Sequence, residues 1–235
     1  MKYSIVIPFK NEEENVEPLL RELGPVMQSL KEPFEVIAVE DGSTDETLAV
    51  LKKVKAELPW LRILKFKKNF GQSSAFDAGF KAAKGEFILT LDGDSQNDPA
   101  DIPKLIAEQE GADLVCGWRA KRKDPFSKKF ISKMANYVRS RLCEDGVHDT
   151  GCSLKLYRHS SLNKIKLFHG MHRFLPALFR IEGFNVKEVP VNHRERVKGK
   201  TKYNFFNRSF NTLADLLAVR WMKKRQLAWQ VEEEI

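Results

Sequence analysis

The chain has 235 residues, with 40 Lys+Arg against 32 Asp+Glu and 42% hydrophobic residues. This length and apolar content exclude a disordered polypeptide and allow one large domain, or one domain with an appendage. No stretch approaches the roughly 20 apolar residues of a spanning helix, which excludes a multi-spanning membrane protein.

Tyr3 to Pro8 is a short apolar run and reads as a buried strand, too short for a signal peptide's apolar region. Cytoplasm is therefore the expected compartment. Val16, Leu19, Leu20, Leu23 and Val26 recur at helical spacing and predict a helix from Asn11 to Leu30. Its acids Glu12, Glu13 and Glu14 fall in the first turn, where the helix dipole favours them. Strands are predicted over 34–39, 61–66, 87–91 and 113–116. Helices are predicted between them, over 46–58, from Phe70-Gly71-Gln72 to Lys84, and over 99–110. Strands alternating with helices of this length imply a mostly parallel sheet with right-handed crossovers. Ligands of such sheets bind beyond the carboxyl ends of the strands. Pro8 to Glu12, Asp41 and Asp92 to Gln96 therefore share one rim.

The second half differs. Phe126, Phe130, Ile131, Met134 and Tyr137 interleave with Lys128, Lys129, Lys133 and Arg139, which predicts a basic amphipathic helix over 126–142. Strands are predicted over 153–157 and 186–191, and helices over 170–180 and 213–222. The net charge of +8 is concentrated beyond Trp118, in three runs: 119–141, 194–208 and 220–225. Such a surface seeks anions. The basic runs carry no nucleic-acid module, so nucleic acid is not an expected partner. Cys116, Cys143 and Cys152 cannot all pair and lack metal-ligand spacing, and they read as reduced thiols.

Asp92-Gly93-Asp94-Ser95-Gln96 is the strongest chemical motif. Two carboxylates flank one small residue at the end of a buried strand, and Gln96 can add a neutral oxygen. Hard cations such as Mg²⁺ or Mn²⁺ take such oxygens and keep positions open for substrate phosphates.

The ordered set Ile7-Pro8-Phe9-Lys10-Asn11-Glu12, Val39 to Asp45, Asn69-Phe70-Gly71, Asp92 to Pro99, Gly117-Trp118-Arg119, Asp149 to Lys155, and Arg196 with Gly199 to Tyr203 covers about residues 3–205. It resembles the family 2 glycosyltransferases of the GT-A fold, within them the dolichyl-phosphate mannose synthase and undecaprenyl-phosphate glycosyltransferase branch. The resemblance implies a Rossmann-like α/β domain; many relatives add C-terminal spanning helices, for which this sequence has no apolar stretch long enough. Its nucleotide-sugar half is 1–117, its acceptor half 118–204, and 205–235 is a C-terminal amphipathic segment.

The same resemblance implies site roles. Pro8, Phe9, Asn11, Glu12, Asp41, Ser43, Gly71, Asp92, Gly93 and Asp94 would bind the nucleotide sugar. Asp92, Asp94 and Gln96 would hold Mg²⁺ or Mn²⁺. Arg119, Lys128, Ser132, Arg196, Lys200 and Lys202 would bind the acceptor phosphate, and Asp92, Asp94 and Arg119 would carry catalysis.

The implied reaction is inverting, metal-dependent transfer from GDP-mannose or a UDP-sugar to a polyprenyl phosphate. The alternative acceptor is a saccharide or lipid hydroxyl. A hydroxyl needs a general base, and relatives that use one usually carry Glu-Asp early in an acceptor-side helix. Gly170-Met171-His172-Arg173-Phe174 has no carboxylate there. A polyprenyl phosphate lives in a bilayer, so the expected location is peripheral, on the cytoplasmic face of an anionic membrane. Attachment would run through the basic helices, with room for a membrane-protein partner or a homo-oligomer.

Overall fold

The computed structural model describes residues 1–120, 142, 146–195 and 205–227, with backbone alone over 205–212. The first half runs β1 (Tyr3–Phe9), α1 (Glu13–Ser29), β2 (Phe34–Glu40), α2 (Thr47–Lys55), β3 (Leu61–Lys65), α3 (Gln72–Ala82) and β4 (Phe87–Thr90). A 3-10 turn at Pro99–Asp101 leads into α4 (Ile102–Ala107), then β5 (Leu114–Trp118). The second half adds β6 (Lys155–Arg158), α5 (His159–Leu162), a 3-10 turn at Met171–Arg173, α6 (Leu175–Ile181), β7 (Val186–Pro190) and α7 (Phe205–Lys224). The helix expected over 126–142 lies outside the described residues.

The seven strands form one sheet in the order β3-β2-β1-β4-β6-β5-β7. All neighbours are parallel except β6, which runs antiparallel to both β4 and β5. Alternation along β1 builds two apolar faces. Tyr3, Ile5, Ile7 and Phe9 join Val16, Leu19, Leu20 and Leu23 of α1 and Leu51 and Val54 of α2. Val6 joins Ala75, Phe76 and Phe80 of α3 on the other face, with residues of α6 and α7. Burial on both faces explains why these strands read as continuous apolar runs. Pro18 and Pro25 lie inside α1 but on its exposed side, where the carbonyls left without a donor, those of Glu14 and Arg21, can turn to water. The expected helix over 99–110 is divided into a 3-10 turn and α4, because Pro103 has no N–H to return to the Pro99 carbonyl, and it ends at Ala107.

The edge of the sheet opposite the rim is locked by one buried carboxylate. Glu35 accepts from Ser4 Oγ at 2.7 Å, from the Lys84 N–H at 2.8 Å and from the Arg62 guanidinium. Burial pushes this carboxyl up, but hydrogen bonds from Ser4, Arg62 and Lys84 outweigh it and hold it below the usual carboxylate range. A depressed native pKa stabilises the fold above the unfolded value, and that stabilisation is lost as pH falls through the native one. Glu35→Gln is therefore expected to cost about 2 kcal/mol at pH 7. The gap to wild type should narrow as the pH is lowered, which urea denaturation at pH 7 and pH 4 would measure.

Strand order reverses direction at β1: β2 and β3 lie to one side and β4 to the other. The crevice beyond the ends of β1 and β4 is thus a topological switch point, the place where sheets of this kind bind ligands.

Candidate active site

Three loops meet at this crevice. The first follows β1. Asn11 adopts φ +49°, in the left-handed region that asparagine tolerates. Its side chain accepts from the Thr44 N–H at 2.8 Å, and its own N–H donates to Ser43 Oγ at 3.0 Å. Asn11 and Ser43 thereby tie the β1 loop to the β2 loop. Glu12 is buried and accepts from Asn15 Nδ2 at 2.7 Å, while its N–H donates to Thr47 Oγ1 at 2.8 Å.

The second loop follows β2. Asp41 is buried, and its two carboxylate oxygens accept from the Phe70 N–H at 2.7 Å and the Gly71 N–H at 3.0 Å. Gly71 has φ +88°, which opens α3 at a conformation other residues resist.

The third loop follows β4 and carries Asp92 and Asp94. Gly93 packs directly against β1: a Cβ there would meet Phe9 Cδ1 and the Pro8 carbonyl oxygen, each at 2.7 Å. The Asp94 carboxylate accepts from the Gln96 N–H at 3.2 Å, across Ser95, which has φ +59°. Asp92 accepts from Gln72 Nε2 at 2.7 Å. Burial, reinforced by the charge of Asp94, pushes the Asp92 carboxyl up to about 6. Two close carboxylates resisting simultaneous ionisation make a pair that a divalent cation would relieve.

Among the described residues no group of three or more His, Cys, Asp or Glu side chains converges on a metal position. Two carboxylates still fit Mg²⁺ or Mn²⁺, because such ions complete their shells with water and substrate phosphate. Gln96 was expected as a third ligand. Its side-chain Nε2 lies 3.5 Å from the Arg194 carbonyl, and its backbone carbonyl accepts from the Arg194 N–H at 3.0 Å, which ties the metal loop to Arg194.

One expected contact is corrected. Phe9 cannot present its ring to a nucleotide, because it has 0% exposure and lies in the core under Gly93. Phe9 ends a strand covered on both faces and shares its core with Tyr3, Ile5 and Ile7.

Arg119, at the exit of β5, is not a bare cation. It forks onto Asp149, with Nε 2.6 Å from Oδ2 and Nη2 2.9 Å from Oδ1. The N–H groups of His148 and Asp149 lead on to Glu188, and the His148 ring stacks on Trp118 at 4.6 Å. Lys128, Ser132, Arg196, Lys200 and Lys202 lie outside the described residues.

Two participants escaped the sequence reading. Gln72 reaches Asp92 from the first turn of α3, and no spacing rule announces it. Asp215 of α7 comes against Gly170, where an added Cβ would lie 2.5 Å from Oδ2. The acid-free stretch 170–174 thus receives a carboxylate from a distant helix. Within that stretch, His172 Nδ1 is 2.9 Å from Ser73 Oγ, which also accepts from the Gly170 N–H.

The family model of glycosyl transferase family 2 matches residues 4–166, the span that contains all three loops. The chain belongs to glycosyltransferase family 2. A dodecaprenyl-phosphate galacturonate synthase of Rhizobium johnstonii is 42% identical over 230 residues, which is 95% of this chain and 68% of that protein. Among solved structures, glucosyl-3-phosphoglycerate synthase from Mycobacterium tuberculosis, with Mn²⁺, UDP-glucose and phosphoglyceric acid, superposes with a TM-score of 0.71. It is 18% identical and covers 94% of this chain and 80% of that one. S. aureus TarS with UDP-GlcNAc gives 0.62 at 21% identity, covering 93% and 66%. The fold of this family 2 glycosyltransferase is therefore the GT-A fold.

Proposed function

We propose that this glycosyltransferase moves a sugar, galacturonate in the first instance, from a nucleoside diphosphate to a polyprenyl phosphate, with inversion at the anomeric carbon. The observation that carries the reading is the conjunction of the Asp92–Asp94 pair at the switch point with likeness along nearly the whole chain to a dodecaprenyl-phosphate galacturonate synthase. Asp41, Glu12 and the loops joined by Asn11 and Ser43 would form the nucleotide side. Asp92 and Asp94 would hold Mg²⁺ or Mn²⁺, which offsets charge on the departing diphosphate. Arg119, fixed by Asp149, would orient the acceptor phosphate. Such an acceptor is already anionic and needs no general base, so catalysis reduces to positioning and charge compensation.

The acceptor sets the location. α7 exposes Leu213 (51%), Leu217 (54%) and Trp221 (63%), four residues apart on one line, beside Arg220, Lys223 and Lys224. An apolar stripe flanked by cations suits an anionic bilayer surface, and we place the enzyme peripherally on the cytoplasmic leaflet. Among the described residues no helix is long and apolar enough to cross a membrane.

Asp215 favours a second reading, in which a saccharide or lipid hydroxyl is the acceptor. Burial raises its carboxyl above the usual range, as a general base requires. Parallel assays with polyprenyl phosphate and the matching polyprenol separate the two. Transfer to the phosphate alone, indifferent to Asp215→Asn, is expected. Transfer to the alcohol, lost in Asp215→Asn, would replace the first reading with the second.

A further inference from the structure

Lys155 is 2% exposed, yet among the described residues no carboxylate lies within ion-pair distance of its ammonium. Its Nζ instead donates to two backbone carbonyls, those of Thr150 (3.4 Å) and Cys152. Burying an ammonium out of ion-pair distance of these carboxylates is costly, although its charge still acts on Asp92, and an apolar residue would fill the place more cheaply. Its position is also particular. β6 sets Lys155 opposite Thr90 of β4 and Cys116 of β5, so it stands between the strands that lead to Asp92 and to Arg119.

The two carbonyls belong to the turn that carries Asp149. Asp149 forks onto Arg119 and accepts from the Gly151 N–H at 3.1 Å. A Cβ at Gly151 would lie 2.9 Å from Arg119 Nη2, so the turn wraps the guanidinium closely. Its far end is tied to the metal loop. Ser153 Oγ donates to Asn97 Oδ1 at 2.7 Å, and that oxygen also accepts from the Asp92 N–H at 3.1 Å. Residues 149–153 therefore join Arg119 to Asp92, and the ammonium of Lys155 lies beneath their middle.

We propose that Lys155 is a positioning residue: its buried ammonium fixes the 150–152 turn and, through Asp149, holds Arg119 in register with the Asp92–Asp94 pair for the acceptor phosphate. This inference rests on the proposed transfer to a phosphate.

The test is Lys155→Met, near in length but uncharged. Methionine removes the cost of burying a charge but leaves the Thr150 and Cys152 carbonyls without this donor, so the two effects oppose each other and Tm is expected to shift by only a few degrees. The KM for a short-chain prenyl phosphate should rise on the order of 100-fold, the scale of a misplaced positioning group. Calorimetric binding of UDP without metal should stay within about threefold of wild type, because the Asp41 and Glu12 loops lie away from this turn. Asp149→Asn should give the same loss, and the double variant should be no worse than either single one. Acceptor binding unchanged in Lys155→Met, additive losses, or loss of UDP binding in step with activity would each overturn the proposal. A wild type that binds no prenyl phosphate would overturn the functional reading and this inference with it. A wild type and a Lys155→Met variant that bind it equally would overturn this inference alone.

Discussion

Asp94→Ala is expected to reduce the rate of sugar transfer on the order of a thousand-fold, about 4 kcal/mol of transition-state stabilisation, while leaving the fold intact. The wild-type pair is electrostatically unfavourable by itself, since the charge of Asp94 helps to push the Asp92 carboxyl upward. Removing one member relieves that repulsion, so thermal stability should hold or rise slightly. The loss falls on the chemistry, because one carboxylate no longer holds the cation against the diphosphate. Calorimetric titration of nucleotide with and without Mn²⁺ checks this directly: the metal-dependent part of the affinity should vanish in the variant. Asp94→Asn keeps the shape and loses the charge, and it should behave like Ala if charge is what matters.

Asp41→Asn should act on fold and ligand together. The carboxylate accepts two backbone N–H groups, from Phe70 and Gly71, in a buried place. An asparagine can accept only one of them and turns an amide N–H₂ toward the other. Leaving a buried donor without a partner costs about 2–3 kcal/mol. For a domain of this size that is a fall in Tm of roughly 4–12 °C. The same loop opens α3, which brings Gln72 to Asp92, so nucleotide affinity should weaken as well. Thermal unfolding with and without saturating nucleotide measures both effects. A variant as stable as wild type would contradict the anchoring role.

Much of this architecture was legible in the chain. Strands such as Tyr3–Phe9 and Phe34–Glu40 announced themselves because both faces are covered and nearly every position is apolar. The shared rim followed from the alternation of strands with helices, and the Asp92–Asp94 pair from its place after one of them; the switch point needed the strand order. β6 was foreseen as a strand, but its reversal was not. Four residues containing a buried lysine carry no directional signal, and the pairing is decided by β4 and β5, which are distant in sequence. Side-chain partnerships were the least readable. That Arg119 would be forked by Asp149, that Gln72 would reach Asp92, or that Asp215 would come against Gly170, depends on how separate loops and helices converge. Phe9 shows the same limit: the apolar run was read as ending at Pro8, whereas β1 runs one residue further and carries Phe9 into the core.

The central claim is that the acceptor is a lipid phosphate, and the product itself tests it most directly. Wild-type enzyme would be incubated with UDP-galacturonate, Mn²⁺ and a polyprenyl phosphate, and the extracted lipid examined by mass spectrometry and phosphorus NMR. A single new species is expected, one uronosyl residue joined to the lipid through a phosphodiester, with its anomeric configuration inverted from that of the donor. Recovery of unmodified polyprenyl phosphate, alongside a sugar attached to a hydroxyl acceptor supplied in the same mixture, would contradict the account.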